Sequence, residues 1–237
     1  MTDRQDCPAP IPPLRSVDGF RDVPIAECGE PLRPIPAAEK LRTHPVYWAR
    51  GIPGAEATLW AREGVIARLL HAAAALPDGI ALVVFDAWRP LAVQQYLFDE
   101  FAARLAQRTG LTGEALARAV ARYVSVPSRD PRHPSAHATG GAVDVGLCTT
   151  DGRLLHLGTA FDAFVPEAAT RWLEEHAQSE AERQQRDLRR ILFHAMTKAG
   201  FTNYPDEWWH YDYGNQFYGR VRGVPAMYGY IEREASV

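Results

Sequence analysis

The sequence predicts an α+β domain with a central, mainly antiparallel sheet and helices packed against it. Three observations carry this. The run GIALVVFDA (79–87) is β-branched and aromatic and follows a Pro-Asp-Gly turn, the mark of a buried strand. The runs GAVDVGLC and RLLHLG flank TTDG, which reads as two antiparallel strands joined at Asp151-Gly152. Around these runs lie alanine-rich and charged stretches whose apolar residues recur at helical intervals.

Taken in order, ten prolines between Pro8 and Pro53 would interrupt any long helix. Residues 1–54 therefore read as an extended segment laid over the domain formed by residues 55–237 and belonging to it. In AEATLWAREGVIARLLHAAAAL (55–76), Leu59, Val65, Ile66, Leu69 and Leu70 predict an amphipathic helix. The buried strand that follows ends near Asp86. Pro90 then opens a helix over PLAVQQYLFDEFAARLAQR that stops at Gly110, with proline in the first turn and glycine at the far end. A further helix is expected over 112–124. SVPSRDPRHP (125–134) is a loop by its prolines and polar residues. A charged helix at about 180–199 stops at Gly200, and FTNY and EWWHYDY are strand-like.

The composition narrows the partners. A formal net charge of -3 without a basic block gives no electrostatic footprint for nucleic acid or an anionic membrane surface, so a small or neutral partner is expected. No segment approaches the roughly 20 uncharged apolar residues that span a bilayer. The first residues lack the apolar run of a signal peptide, and Cys7, Cys28 and Cys148 form no C-x-x-C pair; a reducing, cytoplasmic location is the expectation.

PSAHATGGAVD (134–144) sets His137 and Asp144 seven positions apart around Gly140 and Gly141. On a continuous strand an odd offset puts two side chains on opposite faces, while adjacent glycines and the nearby Val143 and Val145 argue against a helix. The chain must bend: the glycines can take a positive φ or form a bulge, letting a loop histidine reach the face of Asp144. Alone, the pair reads better as polar loop residues, hydrogen-bonded or solvated, with glycines that merely turn the chain. The balance changes with DEWWHYDY, where Glu207 and His210 stand three apart, and Glu207 is expected at an irregular strand mouth after the Pro205-Asp206 turn. There is no H-E-x-x-H. Two imidazoles, one carboxylate and an open fourth position make a reasonable catalytic zinc set.

These motifs carry a family resemblance. SAHATGGAVD matches S-x-H-x-x-G-x-A-[IV]-D and EWWHY matches E-x-W-H; FDAWRP resembles a D-x-x-R-P element and LGTAFDAF a G-x-x-F-D element. Together, in this order, they resemble the D-alanyl-D-alanine dipeptidases of the VanX type. The resemblance implies the zinc fold of the D,D-peptidases and Hedgehog proteins, with one zinc ion held by His137, Asp144 and His210 and Glu207 as general base. It implies Arg89 as the cation near the reacting carbonyl, Asp162 at the substrate's ammonium, and Asp86 and Ser135 at a small closed pocket. The implied reaction is hydrolysis of a small free dipeptide, D-Ala-D-Ala, which either recycles wall precursors or depletes the dipeptide used to build them. Zinc lowers the pKa of bound water to about 7, Glu207 takes the remaining proton, and Arg89 stabilises the developing oxyanion.

Plainer readings stand beside these. Asp86 serves equally by holding Arg89 in place, Ser135 as a turn residue and Asp162 as an ordinary loop acid. Trp208 and Trp209 are expected to pack around the site, His133 to be a solvated loop histidine, and Cys148 to be a buried thiol about 13 Å along the strand from Asp144. The competing functions are a zinc D,D- or L,D-carboxypeptidase acting on longer wall peptides, a dipeptidase for another small pair, and a zinc-stabilised binding module without turnover.

Overall fold

The computed structural model describes residues 8–121 and 124–233. In chain order it runs β1 (Leu32–Pro34), β2 (Leu41–Thr43), α1 (Val46–Ala49), β3 (Trp60–Arg62), α2 (Glu63–Ala74), β4 (Ile80–Asp86), α3 (Leu91–Thr109), α4 (Gly113–Val120), β5 (Ala142–Thr149), α5 (Trp172–His176), α6 (Glu180–Lys198), β6 (Thr202–Asn203), β7 (His210–Asp212) and α7 (Gln216–Arg222). The central sheet has the order β2-β4-β5-β7-β6; β2 lies parallel to β4 and every other pairing is antiparallel. β1 and β3 form a separate antiparallel pair. The architecture is the expected α+β one, with a mixed sheet and packed helices.

Where local signals decide, elements lie where the sequence puts them. β4 occupies the apolar run, α3 ends at Gly110 in the left-handed conformation at φ 70°, and α6 starts on a capping box. In that box Ser179 Oγ accepts from the Glu182 amide at 3.2 Å, and a Glu182 carboxylate oxygen accepts from the Ser179 amide at 2.8 Å. Leu82, Val84, Val145 and Leu147 meet Val65 and Leu69 of α2 and Leu192 and Met196 of α6 in one core.

Three expectations are corrected. The helix expected over 55–76 begins only at Glu63: residues 60–62 pair with β1, and buried Leu59 and Ala61 follow the period of a strand. The hairpin closing at Asp151-Gly152 shrinks to one bridge, Cys148 with Leu154, and Leu154 is half exposed. The final aromatic strand is confined to His210–Asp212. The helix expected over 112–124 is Gly113–Val120, and residues 122 and 123, like Cys7, lie outside the described residues. Cys28 is exposed and Cys148 buried, both as free thiols. Among the described residues no helix is long and apolar enough to cross a membrane.

Within the N-terminal segment, β2 enters the central sheet, with Leu41 opposite Leu82. Ahead of it a strap crosses α5 and α6. Ile11 is buried, its amide donates to Glu174 at 2.9 Å, and Arg171 donates to its carbonyl at 3.1 Å. Glu174 also accepts from Arg190 Nε at 2.8 Å. Burial pushes the Glu174 carboxyl up, but the Arg190 guanidinium and the Ile11 amide outweigh it and hold the group below its ordinary value. A depressed carboxylate stabilises the fold above its unfolded pKa of about 4.3, and that contribution fades as pH falls through the lower folded value. Glu174→Gln should therefore cost about 2 kcal/mol at neutral pH. The gap to wild type should close below about pH 4, read by urea unfolding across pH.

Candidate active site

The site grows from one row across three strands. Asp144 on β5 lies opposite Asp86 on β4 and opposite His210 on β7, and residues directly opposite in a sheet share a face. Asp86 reaches that row through an irregularity. The β4 register shifts between Val84, which faces the helix core with Val145, and Asp86, which opposes Asp144.

His137 joins from a 3-10 turn, His137–Thr139, that ends on Gly140 at φ 70°. A Cβ at Gly140 would lie 2.6 Å from Leu32 Cδ2, and one at Gly141 would lie 2.5 Å from the Tyr213 carbonyl oxygen. The two glycines thus do different work. Gly140 supplies the left-handed bend, and Gly141, whose φ is not positive, leaves room for the neighbouring backbone. Arg62, buried, ties the turn down by donating from Nε to the Thr139 carbonyl at 2.8 Å.

One donor atom from each of His137, Asp144 and His210 lies within 4.8 Å of the other two, and all three residues are buried. The outward partners of the rings select the inward atoms. His137 Nδ1 is 2.7 Å from the Ala87 carbonyl, leaving Nε2 toward Asp144 at 3.4 Å. His210 Nε2 is 3.1 Å from Asp212, leaving Nδ1 toward Asp144 at 3.1 Å. Burial would lift the Asp144 carboxyl, but the two imidazoles hold it far below the ordinary range. Burial opposes protonation of His210, and Asp212 and Asp144 outweigh it, so its pKa rises. Carboxylates drawing positive charge inward, and two ring nitrogens turned toward one carboxylate, form a donor set that fits a divalent metal such as zinc.

Asp212 was not anticipated, although it stands two residues after His210 on a strand and so shares its face. Asn215, the N-cap of α7, holds it by a 2.6 Å hydrogen bond. A carboxylate behind a metal-binding imidazole fixes its tautomer and orientation. Asp212→Ala should lower zinc affinity about 10- to 100-fold, measured by competition with a chromogenic chelator.

Arg89 is clamped from several sides. Nε donates to Asp86 at 2.9 Å, Nη1 to Gln94 at 2.8 Å, and Nη2 stands 3.5 Å from Asp144, with the guanidinium 5.0 Å from the Tyr47 ring centre. Burial would lower its pKa, but Tyr47 and the surrounding carboxylates raise it, so the charge is permanent. Gln94 and Tyr47 are further residues that sequence reasoning missed. Gln94 sits one turn into α3, and Tyr47 arrives from α1; neither carries a local signal.

A cavity of about 370 Å³ is lined by the three donors together with Arg89, Asp162 and Glu207. Glu207 sits after the Pro205-Asp206 turn, with Oε2 3.9 Å from His210 Nδ1. Burial pushes its carboxyl up to about 8. Asp162, raised to about 6 by burial, is the one non-glycine residue with a positive φ, 63°, among the described residues, and it faces Arg50 at 3.5 Å. Asp86 is turned to Arg89 and to His137, 3.3 Å from Nδ1. Ser135 lines an adjoining cavity of about 260 Å³. Trp208 and Trp209 are buried, the first donating to Thr159 at 2.8 Å. His133 departs from the solvated reading: it is half-buried, because the loop folds over Nδ1, which has no hydrogen-bond partner among the described residues.

Comparisons with known proteins agree with one another. A peptidase family model described as D-ala-D-ala dipeptidase matches residues 50–223. A D-alanyl-D-alanine dipeptidase of Synechocystis sp. is 32% identical over 218 residues, covering 83% of this chain and 87% of that protein. The D-alanyl-D-alanine dipeptidase of Enterococcus faecium is 30% identical over 138 residues, 58% of this chain and 64% of that protein. That of Enterococcus faecalis is 31% identical over 143 residues, 60% and 65% of the two. Among solved structures, the vancomycin-resistance D,D-pentapeptidase VanY in complex with Zn(II) aligns at a TM-score of 0.43 and 20% identity, over 81% of this chain and 91% of that one. The family match spans the row of Asp86, Asp144 and His210, the turn that brings in His137, and Glu207, and on it the chain belongs to the D-Ala-D-Ala dipeptidase family of peptidases.

Proposed function

We propose that this peptidase hydrolyses a small free dipeptide, D-Ala-D-Ala in particular, with one zinc ion held by His137, Asp144 and His210. The observation that carries the reading is the convergence of those side chains with Glu207, Arg89 and Asp162 on one cavity of about 370 Å³. The substrate is the one in the names of the relatives that cover most of the chain or more than half of it.

Zinc, when bound, supplies Lewis acidity and lowers the pKa of water to about 7. Glu207, as the carboxylate, takes a proton from the attacking water and passes it to the departing amine; burial raises its affinity for the proton it carries between the two. Arg89 presents a fixed positive charge to the carbonyl oxygen as that oxygen becomes negative, and its clamp by Asp86 and Gln94 means that it need not reorganise. Asp162 meets the substrate's ammonium. The positive φ there is a backbone strain of the kind that clusters at ligand-binding positions, which supports this role. Asp86 acts by holding Arg89 and the His137 ring, and Ser135 borders the far end of the substrate.

The test uses protein stripped by a chelator and reconstituted with zinc, with alanine release measured from the four stereoisomers of Ala-Ala and from a wall pentapeptide. Zinc-dependent cleavage of the D,D-dipeptide, with the pentapeptide untouched, is the expected result. Release of D-Ala from the pentapeptide alone would make the enzyme a carboxypeptidase. Stoichiometric zinc without any turnover would make it a binding module.

A further inference from the structure

The N-terminal strap reaches the site, and the reaction described so far leaves it unused. Residues 17–21 wall the cavity that holds the three donors. The strap is pinned there. Arg220 donates to the Asp18 carbonyl at 2.6 Å, Gln216 donates to the carbonyls of Arg21 and Val23 at 3.3 and 2.8 Å, and the Phe20 ring stacks on Phe217 at 4.0 Å. Phe217 in turn stands 6.4 Å from His210. The backbone of Arg21 is therefore fixed, while its guanidinium makes no hydrogen bond or ion pair among the described residues and lies 5.1 Å from the Phe20 ring centre. The other arginines of the cavity wall are engaged: Arg89 as described, and Arg104 with Glu100 at 3.6 Å.

A second observation points to the same place. Arg21, Phe20, Ser125, Ala136 and Phe217 line both this cavity and the adjoining one of about 260 Å³, so the second continues the first. On its wall Ser135, 6% exposed, has an Oγ without a hydrogen-bond partner among the described residues. A buried hydroxyl left unsatisfied costs free energy unless a ligand or water meets it, and in a cavity that an unpaired guanidinium also lines the matching ligand is an anion. Asp162 lines the first cavity but not the adjoining one, and it faces Arg50 at 3.5 Å.

We infer that Arg21 binds the α-carboxylate of the dipeptide, with Ser135 donating to the same group. The substrate then lies with its ammonium at Asp162, its peptide carbonyl at the three donors and its carboxylate at Arg21. This rests on the dipeptidase reading and adds to the site a residue outside the 50–223 family match. It also makes a free carboxyl terminus a requirement for tight binding.

The experiment compares wild type, Arg21→Ala and Arg21→Lys, all zinc-loaded, on D-Ala-D-Ala and on D-alanyl-D-alanine amide. Arg21 is exposed at the rim, so its removal disturbs no packing. Arg21→Ala should lower kcat/KM for the acid about tenfold, chiefly through KM, and leave the amide unchanged within about twofold; Arg21→Lys should retain part of the preference for the acid. Equal losses on both substrates, or no loss on either, would overturn the role of Arg21 while leaving the dipeptidase reading intact. Failure of wild type to cleave D-Ala-D-Ala would overturn that reading and the role of Arg21 with it.

Discussion

Glu207→Ala should lower kcat by about a hundred- to ten-thousandfold while zinc stays bound. In the proposed mechanism general acid and general base are the same carboxyl, so one substitution would remove both proton transfers. Zinc is retained because Glu207 lies outside the donor trio, 3.9 Å from His210 Nδ1. Its backbone bonds, amide to the Tyr204 carbonyl at 3.3 Å and carbonyl from Asn203 at 3.2 Å, do not need the side chain, so the turn should keep its shape. The measurement pairs steady-state kinetics with elemental analysis of the same sample. Near-normal turnover in the variant would remove Glu207 from the chemistry, and loss of zinc would make it a ligand instead.

Arg89→Lys should cost about a hundredfold in kcat although the charge is conserved. The guanidinium simultaneously meets Asp86, Gln94 and the neighbourhood of Asp144, and an ammonium on a flexible stem cannot satisfy that fork. Its charge would settle toward one carboxylate and away from the developing oxyanion. Asp86 would be left buried with a poorer partner, so a lower Tm should accompany the kinetic loss. A variant with the wild-type rate would show that charge alone, without the planar geometry, is enough.

How far the sequence discloses the structure depends on whether a signal is local. The β4 run, the Pro90 to Gly110 span of α3 and the Ser179 capping box are written in neighbouring residues, and they appear where expected. The start of α2 is not legible in the sequence because residues 60–62 answer to β1, with Leu32 opposite Arg62 and Pro34 opposite Trp60, and no periodicity within 55–76 reveals that partner. In the site, the odd offset between His137 and Asp144 requires a bend, and the bend lies at Gly140. The same parity argument, applied to His210 and Asp212, would have disclosed the carboxylate behind the ring. Tyr47 and Gln94 were out of reach, since their closeness to Arg89 arises from the packing of α1 and α3. The Ser135 hydroxyl could be named from a motif, but its lack of a partner is a property of the closed fold.

The register row that places Asp86, Asp144 and His210 side by side has a thermodynamic corollary. No short stretch of the denatured polypeptide contains the complete chelate, because His210 lies 66 positions beyond Asp144 and reaches it, and the His137 turn, only when β5 and β7 pair. A metal ion held by this set would discriminate between folded and unfolded populations, and by mass action a free concentration about a hundredfold above its dissociation constant would add about 2.7 kcal/mol to unfolding. Melting temperature should climb with the logarithm of free zinc, so the lifetime of the molecule is tied to the metal supply around it.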